Sequence, residues 1–246
     1  MRLACILLAA ALLGCGSETP AAEQAVQATL RPAVPPAPEG ARVRTAGFVV
    51  TPQVFNSELM APYDVFQHSI FRDSLDYIQT FVVSEDGGPV ETFEGILVTP
   101  HYSFADAPPI DILVIPSTGG SMSNDLQNAA FIEWLGDAVA AAEWVITVCD
   151  GAFPLAATGA LDGRAATTFP ADREALQEMF PQVEVSFDHR IVVDGKYITS
   201  VGGAMSYEPA FWLVEHLYGR GHADLTAEGL VWPWDVSQVP VLEAGS

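Results

Sequence analysis

Positive charge is scarce in this 246-residue chain: ten lysines and arginines face 31 aspartates and glutamates, for a formal net charge of −21. A surface of that sign repels phosphate backbones and anionic lipid heads, which argues against a nucleic-acid partner and against electrostatic recruitment to membranes. Cysteine is equally rare, with only Cys5, Cys15 and Cys149, too few for a disulfide-stapled scaffold. There is no HExxH, no CxxC and no GxxxxGK[ST] pattern. Zinc hydrolysis and phosphate-loop chemistry therefore lack their ligands, and no metal or cofactor is expected. The sequence shows no internal repeat, and its longest apolar run is too short to span a bilayer. What remains is a half-hydrophobic chain long enough to bury one sizeable core.

That apolar run is the N-terminal MRLACILLAAALLGC, with Arg2 ahead of it and small Gly14 before Cys15. It reads as a signal peptide. Leu12-Leu13-Gly14-Cys15 resembles the bacterial lipobox, in which the cysteine is lipidated and becomes the first mature residue; the other reading is a secretory signal cleaved near Gly16 to Thr19. Both imply export, and the lipobox places the protein at the periplasmic or outer-membrane face, touching membrane only through its lipid. Residues 15–42, rich in alanine and proline, lack apolar periodicity and read as a tether. A single domain is expected over 43–232, followed by a tail at 233–246. With export, Cys149 is the sole thiol of the folded domain.

From Val43 onward, strand and helix patterns alternate. Gly47 to Thr51, Tyr77 to Val83, Thr92 to Val98 and the apolar run Ile110 to Ile115 read as strands, and Pro62 to Arg72 as a helix. Asn124 to Ala142 carries Phe131, Leu135, Val139 and Ala142 on one stripe and reads as a single helix before the strand Trp144 to Val148. Asp194-Gly195 marks a hairpin between Val193 and Tyr197. The fold class expected is α/β: a flavodoxin-like, doubly wound, mostly parallel sheet sandwiched by helices.

Cys149 falls where the strand Trp144–Val148 runs into a helix starting near Gly151. Backbone N–H groups and the dipole at such an elbow favour a thiolate, the reactive form. The plainer alternative is a buried cysteine acting as a small hydrophobe. Ligands of doubly wound sheets bind beyond the carboxyl ends of the strands. Two other segments reach that end: Ser117-Thr118-Gly119-Gly120, with backbone N–H groups for an oxyanion, and Glu58 in the loop after the first strand.

These residues resemble the ThiJ/PfpI family within the class I glutamine amidotransferase-like superfamily. The carriers are Glu58-Leu59-Met60-Ala61-Pro62-Tyr63-Asp64-Val65-Phe66, Gly119-Gly120, VCDGAF, LDGRAATTFP and VVDGKYITSVGG, together spanning roughly residues 45 to 230. The subgroup most similar is that of isonitrile hydratases and of domains fused to AraC-type regulators. The resemblance implies that Cys149 is a nucleophile, that Glu58 is a protonated acid hydrogen-bonded to its sulfur, and that Gly120 and the N–H of Asp150 are oxyanion donors. It also implies a small-molecule substrate and a homodimer as the assembly to expect.

Two departures stand out. Phe169 occupies the place of the histidine found in family hydrolases, so a Cys-His dyad lacks its base. Asp150 replaces the threonine that follows the cysteine in isonitrile hydratases. Its carboxylate either opposes a thiolate by like charge or serves as acid or base. The expected function is a cysteine-dependent lyase or hydrolase resembling isonitrile hydratase, against the alternative of a non-catalytic ligand-binding or redox-sensing lipoprotein. For the anchor, Cys15→Ala is expected to release the protein from the membrane fraction; undiminished membrane retention would contradict lipidation.

Overall fold

The computed structural model describes residues 31–245; the signal-peptide and Cys15 readings lie outside them. β1 (Arg42–Val49) leads into α1 (Asn56–His68), followed by β2 (Asp76–Ser84), a hairpin of β3 (Val90–Glu91) and β4 (Leu97–Val98), and β5 (Tyr102–Ser103). Next come β6 (Ile112–Ile115), α2 (Asn124–Gln127), α3 (Ala129–Ala141), β7 (Trp144–Val148) and α4 (Ala152–Ala157). The remainder comprises β8 (Ala165–Ala166), α5 (Arg173–Met179), β9 (Glu184–Val185), β10 (Ile191–Asp194), β11 (Tyr197–Ser200), α6 (Glu208–Tyr218), α7 (Arg220–Gly229) and β12 (Val241–Ala244).

Eight strands form one sheet in the order β12-β10-β11-β7-β6-β1-β2-β5. Every neighbouring pair is parallel except the β10–β11 hairpin. The chain runs outward from β1 to β2 and β5, then returns across β1 to β6 and β7. This reversal opens a crevice at the strands' carboxyl ends.

Side-chain alternation explains the two-sided burial. Along β6, Ile112 and Val114 join one core with α1, α6 and α7, while Leu113 and Ile115 join the other with α3, α4 and α5. A strand buried on both faces needs the unbroken apolar run seen in sequence. Asp111 ends that run by accepting hydrogen bonds from the backbone N–H and hydroxyl of Thr45, at 2.8 and 3.0 Å.

Several boundaries differ from expectation for local reasons. The Asn124–Ala142 helix is two helices, because Asn128 leaves helical geometry and its side chain caps α3 by accepting from the Phe131 N–H. The Thr92–Val98 strand is instead the turn and second strand of the β3–β4 hairpin, turned at Gly95 with φ +83°. Helix α1 begins ahead of Pro62 and holds it in its interior. Of the tether, residues 31–41 follow the domain surface: Arg31 pairs with Asp106 at 2.7 Å and the Pro35 carbonyl accepts from Gln79.

The expected tail is likewise structured. Trp234 is buried, stacks on Phe211 at 5.3 Å and donates through Nε1 to Glu215, and β12 then extends the sheet beside β10. Trp234→Ala is expected to cost about 3–5 kcal/mol, the usual range for deleting a large buried aromatic. Denaturant unfolding measures it; a loss below about 1 kcal/mol would mean that the C-terminal segment is not part of the core.

Candidate active site

Four segments that follow strands of the sheet, after β1, β6, β7 and β11, meet at its carboxyl edge. β7 ends at Val148, and Cys149 follows directly with φ +57°, a left-handed conformation that a non-glycine residue adopts at a cost of about 1–3 kcal/mol. The turn is held by close backbone packing. A Cβ on Gly202 would lie 2.3 Å from the Cβ of Cys149, and one on Gly151 would lie 2.0 Å from the carbonyl oxygen of Ile115. Both positions therefore require glycine, and Gly202 has φ +71° in addition.

Glu58 sits in the first turn of α1, not in a solvated loop, and is only 4% exposed. Its carboxyl accepts from the backbone N–H of Ser117 on one oxygen and from that of Gly203 on the other, each at 3.2 Å. The Cys149 thiol lies beside the same carboxyl, near enough for each to shift the other. Burial outweighs these donors and pushes Glu58 up to about 7. A carboxyl there exchanges a proton readily near neutral pH.

Cys149 corrects the expectation of a stabilised thiolate. Burial, then the negative charges of Glu58 and Asp150, push the thiol well above its ordinary range, against one backbone N–H from Asp150 that favours the anion. The helix that was to supply a dipole is a single 3-10 turn, Cys149–Gly151, followed by the six-residue α4. So short a helix offers little positive potential. The resting group is a neutral thiol facing a carboxyl.

Asp150 turns toward the segment after β8. The Thr168 hydroxyl lies 2.8 Å from its Oδ1 and 3.0 Å from the carbonyl oxygen of Cys149. Burial leads in raising Asp150 to about 6, with the Thr168 hydroxyl opposing it and the negative charge of Asp172 adding to it.

Gly120 does not offer its N–H as expected: it donates to Thr118 Oγ1 at 2.9 Å, and the Gly119 N–H donates to the Gln53 carbonyl. Gly120 instead lines a neighbouring cavity of about 750 Å³, bordered by Thr51, Glu85 and Asp125, to which Cys149 and Glu58 do not contribute. Phe169 is 41% exposed at the site's margin. The five histidines have other partners, such as Ser186 for His189 and Trp212 for His216. Ser117 lies in the segment expected to supply backbone N–H groups, whereas Gly203 and Thr168 were not foreseen as site residues. The glycine pair after β11 was the available signal for Gly203; Thr168 gave none.

A family model matches residues 44–216, most of the chain, and its description is the DJ-1/PfpI family. The chain belongs to the DJ-1/PfpI family. An isonitrile hydratase of Pseudomonas putida is 28% identical over 81% of this chain and 82% of the relative. The HTH-type transcriptional regulator CdhR of Pseudomonas aeruginosa is 29% identical over 65% of this chain but only 47% of its own length. Among solved structures, a THiJ/PfpI family protein from Pseudomonas syringae superposes with TM-score 0.70 at 22% identity, covering 82% of this chain and 83% of that one. Drosophila melanogaster DJ-1beta gives 0.66 at 22% identity, covering 78% and 100%. These likenesses bear out the expected family and its mostly parallel sheet with flanking helices.

The raised Glu58 has a thermodynamic signature. Between the ordinary glutamate range and about 7, the folded state holds a proton that the unfolded state has lost, so this residue's contribution to stability falls as pH rises through that window. Glu58→Gln removes the titration. Its stability relative to wild type is expected to improve from about pH 5 to about pH 8 by on the order of 2–3 kcal/mol, at about 1.4 kcal/mol per pKa unit. Denaturant midpoints at the two pH values measure it, and a pH-independent difference would refute the raised value.

Proposed function

We propose that this DJ-1/PfpI protein is a cysteine-dependent lyase or hydrolase acting on a small, uncharged electrophile, with hydration of an isonitrile as the reference reaction. The observation that carries the reading is the Cys149 thiol beside a buried Glu58 carboxyl held near 7. Such a pair needs no preformed thiolate. Glu58 as carboxylate takes the thiol proton while sulfur bonds to the reacting carbon.

For an isonitrile R–N≡C, the sulfur bonds to the terminal carbon and the proton passes from Glu58 to that carbon, giving the thioformimidate Cys–S–CH=N–R. Water then adds to this carbon, with its proton relayed through Glu58 to nitrogen. The C–S bond breaks, the formamide R–NH–CHO leaves, and the sulfur recovers a proton. Cys149 is 6% exposed, and a terminal carbon on a linear group suits so narrow an approach. Neutral substrates also suit a chain of this net charge. The reading includes export and a lipid anchor at Cys15, placing the reaction at the cell envelope.

A second reading, a binding or redox-sensing domain without turnover, is favoured by one observation: the Gly120 N–H expected as an oxyanion donor is occupied by Thr118. Turnover separates the two. Purified protein is expected to convert an aliphatic isonitrile to its N-substituted formamide, with a loss of at least about a hundredfold in Cys149→Ala and a similar loss in Glu58→Gln, the usual scale for an acid–base group. Turnover surviving Cys149→Ala, or absent from the wild type, would sink the catalytic reading.

A further inference from the structure

The cavity beside Gly120 takes no part in the reaction proposed above, yet it lies where a ligand belongs. It is lined by residues that follow β1, end and follow β2, and follow β6, the strands between which the chain reverses its path across the sheet. Ligands of doubly wound sheets bind at that reversal. Its walls are tied to one another by backbone bonds. The Gln53 N–H donates to the Glu91 carbonyl at 2.8 Å, and the Gly119 N–H donates to the Gln53 carbonyl at 3.0 Å. The turns after β1 and β6 and the first strand of the β3–β4 hairpin therefore hold a preformed space of about 750 Å³, the size that small organic ligands use.

Charge and hydrogen bonding select the ligand. Glu85, Asp86, Glu91 and Asp125 line the cavity, and no lysine, arginine or histidine does. Asp125 is the decisive group, being only 7% exposed. Its Oδ2 accepts from the hydroxyls of Thr51 and Thr118, at 3.1 and 2.6 Å, while its Oδ1 accepts from no group among the described residues. A buried carboxylate oxygen without a donor is costly, so Oδ1 calls for an N–H or O–H from the cavity. Gly120 leaves that oxygen uncovered, since a Cβ there would lie 3.2 Å from it. Burial also pushes the Asp125 carboxyl above its ordinary range, against the two hydroxyls, and a cation at Oδ1 would restore the ionised form.

The carboxylates stand at two levels. Asp125 is buried, whereas Glu85, Asp86 and Glu91 are exposed at the rim, and among the described residues they form no group able to hold a single metal ion. A ligand that satisfies both levels carries positive charge at separated points and N–H groups at the inner one. We propose that this cavity binds a linear polyamine, seating a primary ammonium on Oδ1 of Asp125 and a second positive nitrogen among the carboxylates of the rim. Neither Cys149 nor Glu58 lines the cavity, so the site stands whether or not Cys149 turns over a substrate.

Titration calorimetry of the purified protein with hexamethylenediamine, which carries an ammonium at each end, tests the site. One-to-one binding is expected, weakened at least about tenfold in D125N. In that variant the two threonine hydroxyls keep the amide oxygen, and the amide NH2 meets the ligand's own N–H groups. E85Q/E91Q, which changes only the exposed rim, is expected to weaken binding about threefold or more. Hexamethonium has the same chain and charge, but methyl groups replace every N–H, and it is expected to bind the wild type at least about tenfold more weakly than the diamine. Absence of diamine binding, unchanged affinity in D125N or in E85Q/E91Q, or equal affinity for hexamethonium would overturn the proposal. The last comparison uses the wild type alone and decides the matter even where a variant fails to fold.

Discussion

Burial of a carboxyl against a thiol is the constraint on which this structure turns. Glu58 reaches the carboxyl edge of the sheet because α1 begins just beyond β1, and its two oxygens are held by backbone donors from two other crossovers, at Ser117 and Gly203. The desolvation that raises Glu58 also raises Cys149. The thiol thus stays neutral while Glu58 passes between acid and carboxylate near neutral pH, and the pair is reactive through a proton exchanged between them rather than through a standing thiolate. This arrangement tolerates the loss of a histidine better than one built on a thiolate–imidazolium pair.

Much of the fold was legible in the residues. The run Ile112–Ile115 and the strand Trp144–Val148 are apolar because both faces of the central strands are covered, and a fully buried strand has no polar side to obscure it. The family motifs, read in order, located Cys149 and Glu58 and brought them to one edge. Legibility failed where a single polar side chain decides. Asn128 splits a helix by capping it, and Gly95 turns most of one expected strand into a hairpin loop. The C-terminal strand was hidden because four residues beside an edge carry no periodicity of their own.

The site was less readable than the fold, for a physical reason. Position relative to a strand end is a local property, but protonation is set by everything that surrounds a group. The elbow at Cys149 suggested a dipole favouring thiolate, yet the helix that follows is too short to outweigh burial and two carboxyls. Glycines after β6 suggested open N–H groups, but Thr118 folds back to accept one of them. Thr168 is fully buried, and its bond to the Cys149 carbonyl spans a separation that no short motif encodes.

The pairing of β12 with β10 also orders events in time. β10 leads through its hairpin to β11, whose end supplies Gly202 and Gly203 to the nucleophile turn and to Glu58. One flank of β10 is closed by residues 241–244, which follow it by two helices. A nascent chain can assemble β1, β2, β6 and β7 early, but the sheet margin beyond its candidate site stays open until residues 241–244 have been added, as expected where distant segments must meet before their contacts stabilise anything.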